Sequence, residues 1–191
     1  MAKKQGKCII VSAPSGSGKT TIVKHLLKAI PGLQFSVSAT SRSPRPNERH
    51  GEDYYFMDPD GFRKKIEEGA FLEWEEVYAG QYYGTLKSEA ERIRYSGGHV
   101  IFDLDVEGGV NLKEYFGDSA LAIFIRPPSI EVLEARLRSR STESEESLKV
   151  RLDKAKYELE FSGKFDYVLV NDDLQTACEE ATKEVMSFLN A

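Results

Sequence analysis

The amino-acid sequence predicts an α/β fold in which a mostly parallel sheet carries helices on both faces. Short apolar runs of strand length alternate with segments whose apolar residues recur at helical spacing, and a glycine-rich turn joins the first run to the first helical segment. Strands that alternate with helices form βα units, which build parallel sheets. We expect strands at residues 8–11, 35–38, 100–104, 121–125 and 167–170, and helices after residue 19, near 110–115, and from residues 130 and 174.

The glycine-rich turn has the pattern of a phosphate-binding loop between a buried strand and an amphipathic helix. Gly16 and Gly18 let the backbone approach phosphates, and the helix N-terminus adds partial positive charge. Lys19 can bridge the outer phosphates, and the Thr20 hydroxyl can hold Mg²⁺. Ala13 replaces the first glycine of the pattern G-x-x-x-x-G-K-[ST], which a negative φ tolerates. The sequence therefore predicts a fold of the P-loop NTPase type, with a phosphate-binding loop made of Ala13, Pro14, Ser15, Gly16, Ser17, Gly18, Lys19, Thr20 and Thr21.

Two acids follow the apolar run that begins at Val100. Asp103 and Asp105 have the placement of a Walker-B-type acid at the carboxyl end of a strand. Such an acid can hold Mg²⁺ directly or through water, or it can take part in substrate binding. The alternative is that it caps the helix that begins at Val106. Which of the two acids lies nearer a metal stays open.

Two stretches do not follow the strand–helix alternation. Residues 39–96 are rich in Arg, Tyr, Gly and Glu and hold short strand-like pieces at 54–56, 71–77 and 81–83. Residues 127–160 form two charged helices. We expect both stretches to be insertions at the carboxyl edge of the sheet, where open α/β folds bind ligands. They are candidates for a substrate clamp and a lid.

Arginines in both insertions are suited to bind phosphate. Arg42 and Arg45 lie in a loop that Pro44 and Pro46 stiffen, so two planar guanidinium groups can reach one phosphate. In the second insertion, an arginine on a lid could stabilise charge on a phosphoryl group during its transfer. The alternative is a solvated pair of charged helices, and we accept it for Arg138.

The composition is that of an ordinary globular protein, and the length suffices for one well-buried core. The chain has 191 residues, of which 40% are hydrophobic and 30% are charged, and its net charge of -5 argues against a general binder of nucleic acid or membrane surfaces. Cys8 and Cys178 are expected to be small core residues. The apolar run after the basic N-terminus is too short for a signal peptide, and no later stretch could span a bilayer, so we expect a cytoplasmic protein.

Taken together, these segments resemble the guanylate kinases, the nucleoside monophosphate kinases that phosphorylate GMP. The resemblance covers nearly the whole chain and rests on ordered blocks: A-P-S-G-S-G-K-T from Ala13, F-S-V-S-A-T-S-R-S-P-R-P from Phe35, G-E-D-Y-Y-F from Gly51, F-L-E-W from Phe71, Y-Y-G-T from Tyr82, D-L-D-V-E-G-G from Asp103, P-P-S from Pro127, R-S-T-E-S-E-E-S from Arg140 and V-N-D-D from Val170. It implies a single domain over residues 1–191, with a core at 1–38, 97–126 and 161–191, a GMP-binding insertion at 39–96 and a helical lid at 127–160.

The resemblance also implies roles for individual residues. The GMP phosphate would be held by Arg42, Arg45, Tyr54 and Tyr83, and the guanine base would face Ser38, Glu73, Thr85 and Asp105. A carboxylate such as Glu73 accepts from the guanine N1–H and N2–H₂ donors, which adenine does not present. Asp103, also assigned to the GMP side, would lie beside the phosphates and could hold Mg²⁺ through water. Adenine would lie near Asn171 and Asp172, and charge on the transferring group would be neutralised by Lys19, Arg45, Arg140 and Arg151.

The implied activity is the ATP-dependent phosphorylation of GMP, and of dGMP, to GDP by direct in-line transfer. Such an enzyme supports purine nucleotide metabolism, uses Mg²⁺ with ATP as co-substrate, and binds neither nucleic acid nor membranes. The alternative is a catalytically inactive guanylate-kinase-like module that binds phosphorylated peptides. That module would have lost the loop lysine or the arginines on the ATP side, and this sequence keeps Lys19, Arg140 and Arg151. The sequence predicts no oligomeric state.

Overall fold

A computed structural model describes residues 5–140 and 145–191, except the side chain of Arg140. It divides into two compact units: a large unit of Lys7–Leu33 and Ile101–Ala191, and a small unit of Gln34–Val100 with the segment that ends at Gly6. In chain order the elements are β1 (Cys8–Ser12), α1 (Lys19–Ala29), β2 (Leu33–Phe35), β3 (Ala39–Thr40), β4 (Tyr55–Phe56), α2 (Pro59–Glu67), β5 (Phe71–Tyr78), β6 (Gln81–Leu86), α3 (Lys87–Tyr95), β7 (His99–Leu104), α4 (Val106–Phe116), β8 (Ala120–Arg126), α5 (Ile130–Arg140), α6 (Glu145–Leu159), β9 (Tyr167–Val170) and α7 (Leu174–Asn190).

The larger sheet has five strands in the order β2-β7-β1-β8-β9. Strand β1 runs parallel to β8, from the Cys8–Ala120 pair to the Ser12–Phe124 pair, and β8 runs parallel to β9. All five residues of β1 are buried, as expected for a central strand covered on both faces. The predicted α/β class with a mostly parallel sheet is confirmed.

The core of the large unit lies between β1, β8 and two helices. Ile22, Val23 and Leu26 on α1 belong to the same cluster of buried side chains as Ala181 and Val185 on α7. Both cysteines are buried, in agreement with the prediction that they are core residues. The packing fixes the start of α1, and with it the loop that precedes this helix.

The small unit contains a second sheet with the strand order β4-β3-β6-β5. Strands β5 and β6 form an antiparallel hairpin whose turn contains Gly80 at a φ of 75°, a conformation that favours glycine. Phe62 on α2 stacks on Phe71 of β5, with ring centroids 4.4 Å apart, and is fully buried. The small unit therefore has a core of its own.

The structure differs from the sequence prediction at two helices of the small unit and at strand β2. Helices α2 and α3 were not predicted, although Asp58 before Pro59 is a typical helix start and its carboxylate accepts from the Gly61 N–H at 2.6 Å. The expected strand at 35–38 ends at Phe35. Ser38 lies outside it because its carbonyl accepts from the Tyr55 N–H at 2.8 Å, beside the small sheet.

Within the described ranges, no helix is both long and apolar enough to cross a membrane.

Candidate functional site

The predicted phosphate-binding loop lies between β1 and α1 in the large unit. Gly16 and Gly18 have φ values of 92° and 94°, which glycine adopts without strain. Ala13 has no such requirement, since none of the described non-glycine residues has a positive φ. Gly18 is the N-cap of α1 and no side chain caps this helix, so its first N–H groups are available to an anion.

Neighbouring side chains pack tightly on the two glycines. A Cβ at Gly16 would lie 2.9 Å from Leu137 Cδ2, and one at Gly18 would lie 2.4 Å from Asn171 Nδ2. Asn171 is buried and donates to the Ser17 carbonyl at 2.7 Å. Its Oδ1 is also buried and has no hydrogen-bond partner among the described residues. The end of β9 is thereby fixed to the loop by a residue that still offers one acceptor.

Lys19 contacts the carboxyl end of β7. Its Nζ lies 2.5 Å from Asp103 Oδ1 and donates to the Leu104 carbonyl at 2.7 Å. Both side chains are about four-fifths buried, with 22% exposure each. An ammonium group has three donors, so this arrangement orients Lys19 and leaves one N–H for a ligand.

Asp105 has a different partner from Asp103. It is the N-cap of α4, and its Oδ1 accepts from the Gly108 N–H at 2.7 Å. The capping alternative that the sequence left open therefore holds for Asp105, while Asp103 pairs with the loop lysine. A cavity of about 390 Å³ lies at this position, lined by Ala13, Pro14, Ser15, Gly16, Gly18, Lys19, Thr20, Thr21, Asp105 and Glu158.

Helices α5 and α6 bring arginines to the loop and to the end of β9. Arg151 donates from Nη2 to Ser15 Oγ at 2.7 Å. Arg136, which belongs to the charged run of the second insertion but was given no role of its own, donates to the carbonyls of Asn171 and Asp172 at 3.0 and 3.2 Å. Arg138 lies at the surface, as predicted, and it is paired there with two glutamates. Arg140 ends α5, and its side chain lies outside the described residues.

Arg42 in the small unit is held by almost all of its donors. Nη1 and Nη2 donate to the two carboxylate oxygens of Glu48, each at 2.6 Å, and Nε donates to Tyr83 Oη at 3.1 Å. The guanidinium carbon lies 5.1 Å from the centroid of the Tyr54 ring. The bidentate pair with Arg42 lowers the pKa of Glu48 to about 2 and raises that of Arg42. Glu48 therefore fixes the plane of this arginine.

Glu48 also holds the turn that contains Arg45. Its Oε2 accepts from the Arg45 N–H at 2.8 Å, and its own N–H donates to the Arg45 carbonyl at 3.0 Å. The Arg45 guanidinium is exposed and has no hydrogen bond within the described part of the chain. Sequence reasoning missed Glu48, although its position three residues after Arg45 is typical of a carboxylate that closes a turn.

Glu73 and Thr85 lie opposite each other in the β5–β6 hairpin. The Thr85 hydroxyl donates to Glu73 Oε1 at 2.5 Å, and Thr85 is 1% exposed. Tyr54 and Tyr83 form an edge-to-face pair with centroids 6.0 Å apart. Ser38 is half-buried just before β3. The structure thus places Ser38, Arg42, Arg45, Tyr54, Glu73, Tyr83 and Thr85 in the small unit, and Asp103 and Asp105 with the phosphate loop in the large unit.

The parallel sheet, the glycine loop and the lysine–aspartate pair define a P-loop nucleotide-binding protein of the α/β class. The family model described as guanylate kinase matches residues 5–189. The chain is 52% identical over 185 residues to a guanylate kinase of Bacteroides thetaiotaomicron, covering 97% of this chain and 91% of the relative. It is also 52% identical over 184 residues to a guanylate kinase of Porphyromonas gingivalis, covering 96% and 98%.

A solved structure agrees with the sequence relatives. The crystal structure of guanylate kinase from Anaplasma phagocytophilum superposes with a TM-score of 0.75 at 28% identity, covering 98% of this chain and 88% of that one. The chain belongs to the guanylate kinase family.

Proposed function

We propose that this protein transfers the γ-phosphoryl group of ATP to the phosphate of GMP, and also to dGMP, and releases ADP and GDP or dGDP. Relatives about half identical over nearly the full length, all named guanylate kinase, support the assignment. The observation that carries it is that one chain holds two separate sets of phosphate-binding groups. One is the loop with Lys19, and the other is the pair Arg42 and Arg45.

ATP is proposed to bind the large unit. Its β- and γ-phosphates would accept from the N–H groups of the loop and the first turn of α1, and from Lys19 and Arg151. Arg140 has the same role by resemblance. The buried Asn171 Oδ1 is an acceptor of the kind that an adenine amino group satisfies, and Asp172 follows it.

The residues around the loop fit a Mg²⁺ ion. Mg²⁺ prefers oxygen ligands, keeps several waters, and is usually bound by one or two carboxylates together with substrate phosphates. Thr20 offers a hydroxyl, and Asp103 offers a carboxylate that could act through water. Among the described residues, no group of three or more His, Cys, Asp or Glu could hold a metal alone. Phosphate oxygens of ATP would be the further ligands in the proposed site. When bound, Mg²⁺ neutralises charge on the transferring phosphates.

GMP is proposed to bind the small unit. Arg45, with its exposed guanidinium, and Arg42, with the hydroxyl groups of Tyr54 and Tyr83, would hold the phosphate. Tyr83 Oη accepts from Arg42, which leaves the tyrosine O–H to donate to a ligand. Glu73, oriented by Thr85, would accept from the guanine edge, with Ser38, Asp103 and Asp105 as the remaining proposed contacts.

The transfer needs little chemistry from the protein. An anionic oxygen of the GMP phosphate attacks the γ-phosphorus, the bond from that phosphorus to the β–γ bridging oxygen breaks, and ADP leaves with the electron pair. No general base is required, because the attacking oxygen is already deprotonated at neutral pH. Catalysis is therefore positioning and charge neutralisation by Lys19, Arg45, Arg140 and Arg151.

Three further properties are proposals that follow from the same function. We infer that residues 39–96 act as the GMP-binding insertion and 127–160 as the lid, and that the protein works in the cytoplasm. Nothing favours the inactive phosphopeptide-binding alternative, since Lys19 keeps its pairing with Asp103 and Arg151 reaches the loop.

A coupled assay of ADP release tests the proposal. With Mg·ATP, GMP should be phosphorylated far faster than AMP, CMP or UMP, since a site whose polar groups pair with guanine rejects other bases by up to about 10⁴-fold. dGMP is the second expected acceptor. ADP release with GMP no faster than with ATP alone would show that the protein is not a guanylate kinase.

A further inference from the structure

Glu158 is a buried carboxylate in the wall of the phosphate-loop cavity. It lies near the end of α6, is 5% exposed, and lines the cavity together with Lys19, Thr20 and Asp105. Sequence reasoning gave it no role. A carboxylate this deeply buried is unusual unless another group compensates its charge.

The described residues compensate that charge only in part. Oε2 is buried and has no hydrogen-bond partner among them, and Oε1 lies 3.9 Å from the Nζ of Lys154, whose side chain is 70% exposed. Burial raises the pKa of Glu158; the charges of Lys154 and Lys19 and the Ser15 N–H oppose that rise, and Asp105 adds to it. Among the described residues, Oε2 therefore lacks a donor, and the nearest cation is a mostly exposed lysine.

The chemistry of the cavity limits what can supply that group. Phosphate oxygens are negative acceptors, so they repel an ionised carboxylate. The waters around a divalent cation are donors, and the cation itself is positive. A hydrated cation is thus complementary to Glu158 on one side and to the phosphates on the other.

We propose that Glu158 accepts hydrogen bonds from waters on the Mg²⁺ that accompanies ATP, and so makes the loop select Mg·ATP over metal-free ATP. The inference rests on the proposed function, because it assumes that ATP is the ligand of the loop. Glu158 is a positioning residue in this scheme, since it contacts neither nucleotide directly.

The positions of Arg151 and Glu158 on α6 support separate roles for them, with the arginine facing the phosphates and the carboxylate facing the metal ion. Arg151 and Glu158 are two helical turns apart and so lie on the same face, about 10 Å apart along the axis. Arg151 reaches Ser15 Oγ at 2.7 Å, at the start of the loop. One helix face thereby presents a cation for the phosphates and a carboxylate for their counter-ion.

A purely structural role makes a different prediction. If Glu158 only held the loop through the Ser15 N–H, its replacement would weaken ATP binding with and without the metal to the same extent. The ratio of the two affinities separates the two roles, whereas either affinity alone does not.

The experiment measures ATP affinity by calorimetry, once with excess Mg²⁺ and once with EDTA, for the full-length protein and for Glu158→Gln. The amide is nearly isosteric but carries no charge, so the preference for Mg·ATP should fall at least about tenfold, from weaker Mg·ATP binding and unchanged or tighter binding of metal-free ATP. A preference within about twofold of the unchanged protein would overturn the inference. Asp153→Asn is the matched control, because Asp153 is an exposed carboxylate on the same helix.

Two further results keep the test decisive. Glu158→Asp keeps the charge but shortens the side chain, so it should lower the preference by a smaller factor, and an unchanged preference would count against the inference even if Glu158→Gln does not fold. If the unchanged protein binds ATP in neither condition, the proposed function fails instead. If it binds both forms equally well, the inference fails.

Discussion

The phosphate loop of the large unit and the arginine loop of the small unit, residues 41–48, are built on opposite principles. The phosphate loop presents backbone N–H groups, and its shape depends on Gly16 and Gly18 in conformations that favour glycine. The arginine loop presents side chains, and its shape depends on the bonds from Glu48 to Arg42 and to the Arg45 N–H.

The two loops differ in which residues determine their shape. The shape of the phosphate loop is determined mainly by neighbouring residues, because the strand, glycines and helix that form it are consecutive. The shape of the arginine loop is determined by side-chain partners, and some of them are distant along the chain, such as Tyr83 for Arg42. The phosphate loop is therefore disrupted by a backbone change or by the loss of Lys19, whereas the arginine loop is disrupted by removing the carboxylate of Glu48.

The largest expected effect is the loss of turnover when the phosphate loop is changed. Lys19→Ala removes the ammonium group that Asp103 and the Leu104 carbonyl hold in place, and leaves Asp103 uncompensated. We expect kcat to fall by at least about 100-fold, measured by steady-state kinetics with GMP and Mg·ATP. The exposed Lys24→Ala, on the same helix, should stay within about twofold. Turnover of Lys19→Ala close to the unchanged protein would mean that the backbone N–H groups suffice.

A smaller effect, on the KM for GMP, is expected when the arginine loop is changed. Glu48→Gln removes the charge that orients Arg42 and the acceptor that holds the Arg45 turn. The KM for GMP should rise about tenfold while the KM for ATP stays unchanged, because the charge-assisted hydrogen bonds that orient Arg42 are lost. Glu52→Gln, which removes an exposed partner of Arg49, is the control. A lower KM for GMP would instead identify Glu48 as a competitor for Arg42.

The smallest expected effect is a pH dependence of the protein's stability that comes from the Glu48–Arg42 pair in the arginine loop. The pKa of Glu48 is lowered from 4.5 to about 2 by the Arg42 pair, so its contribution to folding is complete above pH 4.5 and is lost as the pH falls towards 2. The melting temperatures of the unchanged protein and Glu48→Gln should therefore differ most at pH 7, and the difference should shrink steadily below pH 4.5 and be smallest near pH 2. A constant difference across that range would show that the pair does not stabilise the small unit.

The parts of the fold and site that local sequence determines could be predicted. The strand–loop–helix order around Lys19 needs only consecutive residues, and it was found from spacing alone. The two helices after residue 127 were also expected. Lys19 and Asp103 lie far apart along the chain, and the sequence predicts that Asp103 lies beside the phosphate loop but not that it pairs with Lys19. The placement of the nucleotide contacts themselves stays a prediction.

The parts that escaped prediction depend on partners rather than patterns. Glu48, Arg136 and Glu158 stand in charged stretches where a solvated side chain is the usual outcome, so nothing in the residue type marked them. Spacing did carry some signal, since Arg136 lies one helical turn before Arg140 and Glu158 lies two turns after Arg151. Asp105 shows the converse, because two roles fitted its position and only the Gly108 N–H identified the capping role.

The contact between Gly18 and Asn171 restricts how this site could change during evolution. A single methyl at Gly18 would collide with Asn171 Nδ2, and a smaller residue at position 171 would lose the bond to the Ser17 carbonyl. Gly18 also has a φ of 94°, so a smaller residue at position 171 would still leave any side chain at position 18 strained. Gly18 is therefore restricted by its own backbone as well as by Asn171, and Asn171 is restricted by its bond to the loop, so the loop and the distant end of β9 each limit change at this site.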